Sequence, residues 1–134
     1  MTKFTANIVE IFKNEFTPEF VVFNLLFEES DPEEGGESWC FQRALGADGT
    51  IKSLEGDDDG VCTVKEIQQA ILHEGIQMLE LSKTQLVCVF EPQAVAETGT
   101  EGLEINYQLD DKLWNELKEM SSLVFTGKNF FTII

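Results

Sequence analysis

IQMLELSKTQLVCVF, Ile76 to Phe90, is the stretch that decides how this chain folds. Ile76–Leu81 alternates apolar and polar residues, Gln85–Phe90 is rich in Leu and Val, and Ser82-Lys83-Thr84 separates them. Period-two alternation sends successive side chains to opposite faces of a strand, and a break of three or four residues suits a hairpin loop. C-terminal to this hairpin, PQAVAETG (Pro92–Gly99) has Pro in a first-turn position and Gly at its end, the marks of a short helix. GLEINYQL (Gly102–Leu109) then alternates again, with Leu103, Ile105, Tyr107 and Leu109 on one face and a wet face opposite. Asp110 is placed to cap a helix from Asp111 to about Leu123, whose buried stripe is Leu113, Leu117, Met120 and Val124 or Leu123, widened by Trp114.

On the N-terminal side, Val61–Gly75 supports two readings. Thr63 and Glu66 have capping-box spacing, and Ile67, Ala70 and Ile71 fall at helical intervals, so local propensity favours a short helix ending at Gly75. The alternative is two short strands with a turn near Glu66. Gly46–Gly60 reads as loop, with Ile51 and Leu54 its only apolar anchors. SWCFQRAL (Ser38–Leu45), FVVFNLLF (Phe20–Phe27) and KFTANIVEIFK (Lys3–Lys13) read as strands that form an antiparallel meander, with a turn over Asn14–Glu19 around Pro18. Phe20–Phe27 is almost continuously apolar, the pattern of a strand covered on both faces. The terminal NFFTII is too apolar to lie in water. It pairs into its own sheet, the favoured reading, or adds across an edge of a second copy. The expected architecture is therefore α+β: a single domain over 1–134, a mostly antiparallel sheet with one main C-terminal helix packed on one face.

The charge is as distinctive as the pattern. The chain has 25 acidic and nine basic residues in 134, a formal net of −16. Glu28–Glu37 (EESDPEEGGE) holds six carboxylates and no basic residue, and Glu55–Asp59 (EGDDD) forms a second block. Such self-repulsion opposes compaction, so the excess points to a cationic partner, a divalent cation or solubility. The 43% hydrophobic content and 11 Phe argue for a packed core rather than an acidic tail. A protein of this charge, with no basic stripe, is excluded as a nucleic-acid binder. No apolar run has the length of a membrane span, and no secretory signal is visible. Cys40, Cys62 and Cys88 are odd in number and widely spaced, which suits reduced, buried thiols in a cytoplasmic protein.

No catalytic constellation emerges. There is no GxSxG, P-loop or strand-linked GxGxxG, and the paired carboxylates lie in loops where nothing desolvates them. His73, the only His, has no second His to share a metal. The expectation is a non-enzymatic protein with no cofactor. The sharpest motif is EF-hand-like: Glu55, Asp57, Asp59, Gly60 and Glu66 occupy positions 1, 3, 5, 6 and 12 of a calcium loop. Glu stands at position 1 in place of Asp, Cys62 replaces a bulky aliphatic, and ALGADGTIKSL upstream cannot form the entering helix.

From Trp39 to Phe125 the chain resembles the immunity protein ten family of bacterial polymorphic toxin systems. The resemblance is carried by Gln42-Arg43, the Gly75-Ile76 opening of a Leu79-Glu80-Leu81 hairpin and the Leu-rich return strand. The Pro/Ala helical turn, the alternating strand and the Asp110-Asp111-Lys112-Leu113 helix start continue it. Glu74 precedes Gly75 where the family commonly shows a Gly pair, and the FFTII tail lies outside the pattern. The resemblance implies a cytoplasmic α+β protein that binds and silences a toxin, and it implies strands at Cys62–Lys65 and Ala70–His73. The partner would be a cognate basic protein toxin, with no nucleic acid or membrane involved and the protein itself a monomer or weak homodimer. The residues expected to meet the toxin are Glu28, Glu29, Asp31, Glu33, Glu34 and Glu37, with Asp57, Asp58 and Asp59 secondary. Two alternatives share the acidity: a calcium-binding module on Glu55–Glu66, and a DNA-mimic or anti-restriction protein.

Overall fold

A computed structural model describes residues 1–30, 34–46, 60–66 and 70–134. Among these the chain forms two five-stranded sheets and two helices. The strands are β1 (Thr2–Thr5), β2 (Ile8–Thr17), β3 (Phe20–Glu28), β4 (Ser38–Leu45), β5 (Val61–Lys65), β6 (Ala70–His73), β7 (Ile76–Leu81), β8 (Gln85–Phe90), β9 (Gly102–Asn106) and β10 (Phe131–Ile133). A 3-10 turn, Pro92–Ala94, runs into α1 (Val95–Thr98), and α2 spans Asp111–Val124. The first sheet has the order β1-β9-β8-β7-β10 and the second the order β2-β3-β4-β5-β6. The strands β2 to β6 thus make the second sheet as an antiparallel meander in sequence order. The first sheet is antiparallel at its centre and gains a parallel strand at each edge.

Sequence patterning places most of these elements, and the departures have physical causes. Lys3–Lys13 is not one strand: the chain breaks at Ala6-Asn7, where Ala6 N donates to Asn106 O (2.7 Å) and Asn7 N to Glu28 O (2.9 Å). Each half thereby joins a different sheet, and the two apolar patterns are in register with different partners. The turn expected over Asn14–Glu19 shrinks to Pro18-Glu19, because β2 and β3 stay paired as far as Thr17 and Phe20. Val61–Lys65 and Ala70–His73 form strands, against the helical propensity read for this stretch, of which Ile67 lies outside the described residues. Pairing of β5 between β4 and β6 satisfies backbone groups on both its sides, which a lone turn of helix cannot match.

β6 passes to β7 through Glu74-Gly75, both left-handed (φ 58° and 86°). This turn carries the chain from one sheet to the other. A non-Gly residue there costs on the order of 1 kcal/mol. Glu74 is held by its N–H to Val61 O (2.8 Å) and by an ion pair between its carboxylate and Lys128.

The inner faces of the two sheets meet in one apolar core. Phe27 stacks on Tyr107 (centroids 5.7 Å) and Trp39 lies 6.1 Å from Phe90. α2 packs on the inner face of the second sheet against β3, β4 and β2. Asp110 caps it by accepting from Leu113 N (2.7 Å); Leu117, Ser121 and Val124 are fully buried, while Leu113, Trp114, Met120 and Leu123 are half-buried. The tail forms β10, parallel to β7 within the same chain, with Phe130 and Phe131 half-buried against Phe125. Ile133 and Ile134 are exposed, so the tail buries its aromatic residues and not all four apolar ones.

Arg43 is the unexpected core residue. It lies on the inner face of β4, 6% exposed, and its Nη1 donates to Val124 O (3.3 Å) and to Thr126 O. A guanidinium at the C-terminus of α2 meets the carbonyls and the negative dipole end that a helix leaves unsatisfied.

Candidate functional site

The β3–β4 hairpin brings the described members of the first acidic cluster to one end of the second sheet. Glu28 closes β3 opposite Ile8 on one side and Ser38 on the other. Glu29 N donates to Glu37 O (2.8 Å), and Glu29 Oε1 accepts from Glu37 N (3.4 Å). Glu37 Oε2 accepts from Trp39 Nε1 (2.9 Å), so this carboxylate also anchors a core indole. Glu34 is exposed. Glu66 joins the same end, since its N–H donates to Ser38 O (3.0 Å) where β5 stops. Two of these acids therefore have structural duties that composition does not reveal. Asp31, Glu33, Asp57, Asp58 and Asp59 lie outside the described residues.

The EF-hand spacing also falls mostly outside them, but its two described members bear on it. Gly60 and Glu66 stand at opposite ends of the extended strand β5, a separation of roughly 20 Å at about 3.3 Å per residue. A calcium loop instead curls positions 7 to 12 back around the ion, so that the position-7 carbonyl (Val61) and the position-12 carboxylate (Glu66) both lie about 2.3–2.6 Å from it. Glu66 is thus not the twelfth-position ligand of a loop closing around Gly60. Among the described residues no group of three or more His, Cys, Asp or Glu side chains is arranged to hold a metal.

Around the acidic end, the outer face of the second sheet is apolar. From the strand register its outward positions include Phe12, Val22, Leu26, Val64 and Ile71, with Phe16 packed on Phe20 at the bulge (centroids 5.7 Å). Phe16 is 66% and Ile71 49% exposed. A concavity of about 210 Å³ opens there, lined by Phe20, Val22, Val64 and Ile71 and also by Gln42 and Arg43. Sequence reading singled out the acids and not these residues, although the unbroken apolar run of β3 was the available signal.

Cys40 and Cys88 are buried thiols. Burial pushes Cys40 up from 9.0 to about 12, and the neighbouring Glu66 carboxylate adds to the shift. Burial raises Cys88 as well. A protonated, enclosed thiol is a poor nucleophile, so neither has the character of a catalytic cysteine. Alkylation by iodoacetamide at pH 8 is expected to leave both unmodified in the native protein and to reach both in 8 M urea. Rapid native labelling at either position, read by peptide mass, would contradict this burial.

No helix among the described residues is long and apolar enough to cross a membrane. Compared with protein-family models, curated proteins and solved structures, the chain shows no match to any.

Proposed function

We propose that this chain is an immunity protein: a non-enzymatic, stoichiometric binder that neutralises a cognate basic protein toxin in the cytoplasm. The observation that carries the reading is the convergence of Glu28, Glu29, Glu34, Glu37 and Glu66 at one end of the second sheet, in a chain of net charge −16. An acidic end of this kind attracts a basic surface within about a Debye length, farther at low salt, and raises the association rate. A toxin acting on phosphate-containing substrates needs such a basic surface, so occupying it would block substrate as well. The resemblance over Trp39–Phe125 supports the same reading. The buried thiols Cys40 and Cys88 suit a reducing compartment.

The test begins with the gene's neighbourhood: a large toxin gene immediately upstream is expected, and its absence would count against the reading. The C-terminal domain which that gene encodes is coexpressed with this chain, followed by cell survival and stopped-flow binding. Wild type is expected to restore growth and to form a 1:1 complex. Neutralising Glu28, Glu29 and Glu34 to Gln is expected to slow association about tenfold at low salt and to flatten its salt dependence. Glu37 is left intact because it holds Trp39. Unchanged low-salt kinetics would remove the acidic end from the interface, and failure of wild type to protect would remove the function.

A further inference from the structure

The two sheets treat their outer faces differently. On the first, half-buried Met78, Val87 and Val89 share the outward positions with a polar ladder: Lys3 pairs with Glu104 (3.4 Å), and Gln85 Nε2 donates to Glu104 (3.0 Å) and Asn106 (3.1 Å). On the second, the register turns Phe12, Val22, Leu26, Val64 and Ile71 outward, and none of the outward strand positions among the described residues is Lys or Arg. Its charged members are acids: Glu10, opposite Leu26, and Glu28, with Glu66 close enough to outward-facing Cys40 to raise its thiol. Asn24 lies at the centre with 0% exposure. Its Nδ2 donates to Asn14 Oδ1 (3.0 Å) and Val22 O (3.1 Å), and its Oδ1 accepts from Cys40 Sγ (3.7 Å). This central amide donates and accepts within the protein, so covering the face does not strand it.

We infer that the outer face of the second sheet is the docking surface for the basic partner, which places an apolar side chain in the concavity beside Val22 and Ile71 while its Lys and Arg meet Glu10, Glu28 and Glu66. Val22 and Glu28 are six residues apart on β3, so the apolar and acidic ends lie roughly 20 Å apart. That span belongs to a protein surface and not to a small ligand. Charge selects the occupant: a second copy would bring −16 against −16, whereas a basic protein gains from the same field. The partner's identity as the toxin rests on the function proposed above; the chemistry of the surface does not.

Two synthetic peptides of equal length and charge test the surface, one alternating Lys with Leu and the other Lys with Ser. By calorimetry, wild type is expected to bind the Lys/Leu peptide at least tenfold more tightly than the Lys/Ser peptide. Phe12→Ser/Ile71→Ser changes only exposed side chains and is expected to abolish that preference with the melting temperature retained. Ile133→Ser, on the edge of the first sheet, is expected to keep it. Glu10→Gln/Glu66→Gln is expected to weaken both peptides at low salt. Equal affinity for the two peptides, or a preference indifferent to Phe12→Ser/Ile71→Ser, would overturn the assignment. So would a wild-type dimer in sedimentation that the double variant dissolves, because the occupant would then be a second copy. In the coexpression assay, a wild type that fails to protect removes the immunity reading, and the peptides still decide the surface. A wild type that protects, matched by an equally protective Phe12→Ser/Ile71→Ser, removes this surface alone.

Discussion

Arg43→Met is expected to lose about 2–4 kcal/mol of stability, because one buried and one part-buried carbonyl lose their donor at once. Val124 O and Thr126 O both accept from Arg43 Nη1, and Val124 is fully buried at the last position of α2. Met fills much of the aliphatic volume but donates nothing, so each oxygen is left with an unmet desolvation cost. For a chain of this size the loss corresponds to a fall in melting temperature on the order of 10 °C. Arg43→Lys, which keeps a charge but not the planar fork, is expected to fall between Met and wild type. Urea and thermal melts monitored by tryptophan fluorescence read both variants. A Met variant that melts with wild type would mean that the guanidinium's own desolvation cancels what its hydrogen bonds contribute.

Removing residues 129–134 is expected to cost about 3 kcal/mol, mainly from Phe130 and Phe131, each partly buried and worth about 1–1.5 kcal/mol at that depth. Phe131 lies 4.8 Å from Phe125 between ring centroids, and Phe130 lies 5.9 Å from it. The pairing also satisfies the edge of β7, where Leu79 N donates to Phe130 O (2.9 Å) and Ile134 N to Leu81 O (2.8 Å). Without β10 that edge is open to other chains, so aggregation on heating is expected along with the lower midpoint. Phe130→Ala/Phe131→Ala is expected to reproduce most of the loss, whereas Ile133→Ser/Ile134→Ser, at exposed positions, is expected to leave the midpoint nearly unchanged. The preference for the Lys/Leu peptide is expected to survive the truncation, since β10 borders the first sheet. A truncated chain that melts with wild type would show that the tail contributes nothing to the fold.

Local pattern was enough wherever an element's period was uninterrupted. The β7–β8 hairpin, the strand at Ser38–Leu45 and the capped helix after Asp110 each announce themselves by alternation or by a capping residue, and each is found in place. Pattern failed where long-range pairing decides. Val61–His73 carries a helical spacing that two neighbouring strands override, and Lys3–Lys13 conceals a crossing at Ala6-Asn7 between sheets. The division into two sheets is equally hidden, because adjacency in a sheet is a property of partners distant in sequence. Arg43 shows the same limit: nothing around SWCFQRAL says that its one cation points inward to a helix end 81 residues away. The acidic cluster was legible as composition. Its internal use, Glu37 on Trp39 and Glu29 on Glu37, was not, and neither was the apolar sheet face beside it.

The split of the chain between its sheets also fixes an order of events during synthesis. β1 pairs only with β9, parallel from Thr2↔Leu103 to Thr5↔Asn106, and its place at the sheet edge allows no earlier substitute. Residues 2–5 leave the ribosome well before the strand they pair with and are therefore among the last of these strands to find a partner. The meander of β2 to β6 can close on itself while they wait, but its inner face stays bare until the segment from Ile76 onward has emerged. A nascent chain halted near residue 75 would present Val21, Phe23, Leu25, Phe27 and Phe41 to whatever is nearby, so the interval between the emergence of β6 and that of β9 is the one in which these strands most need a chaperone.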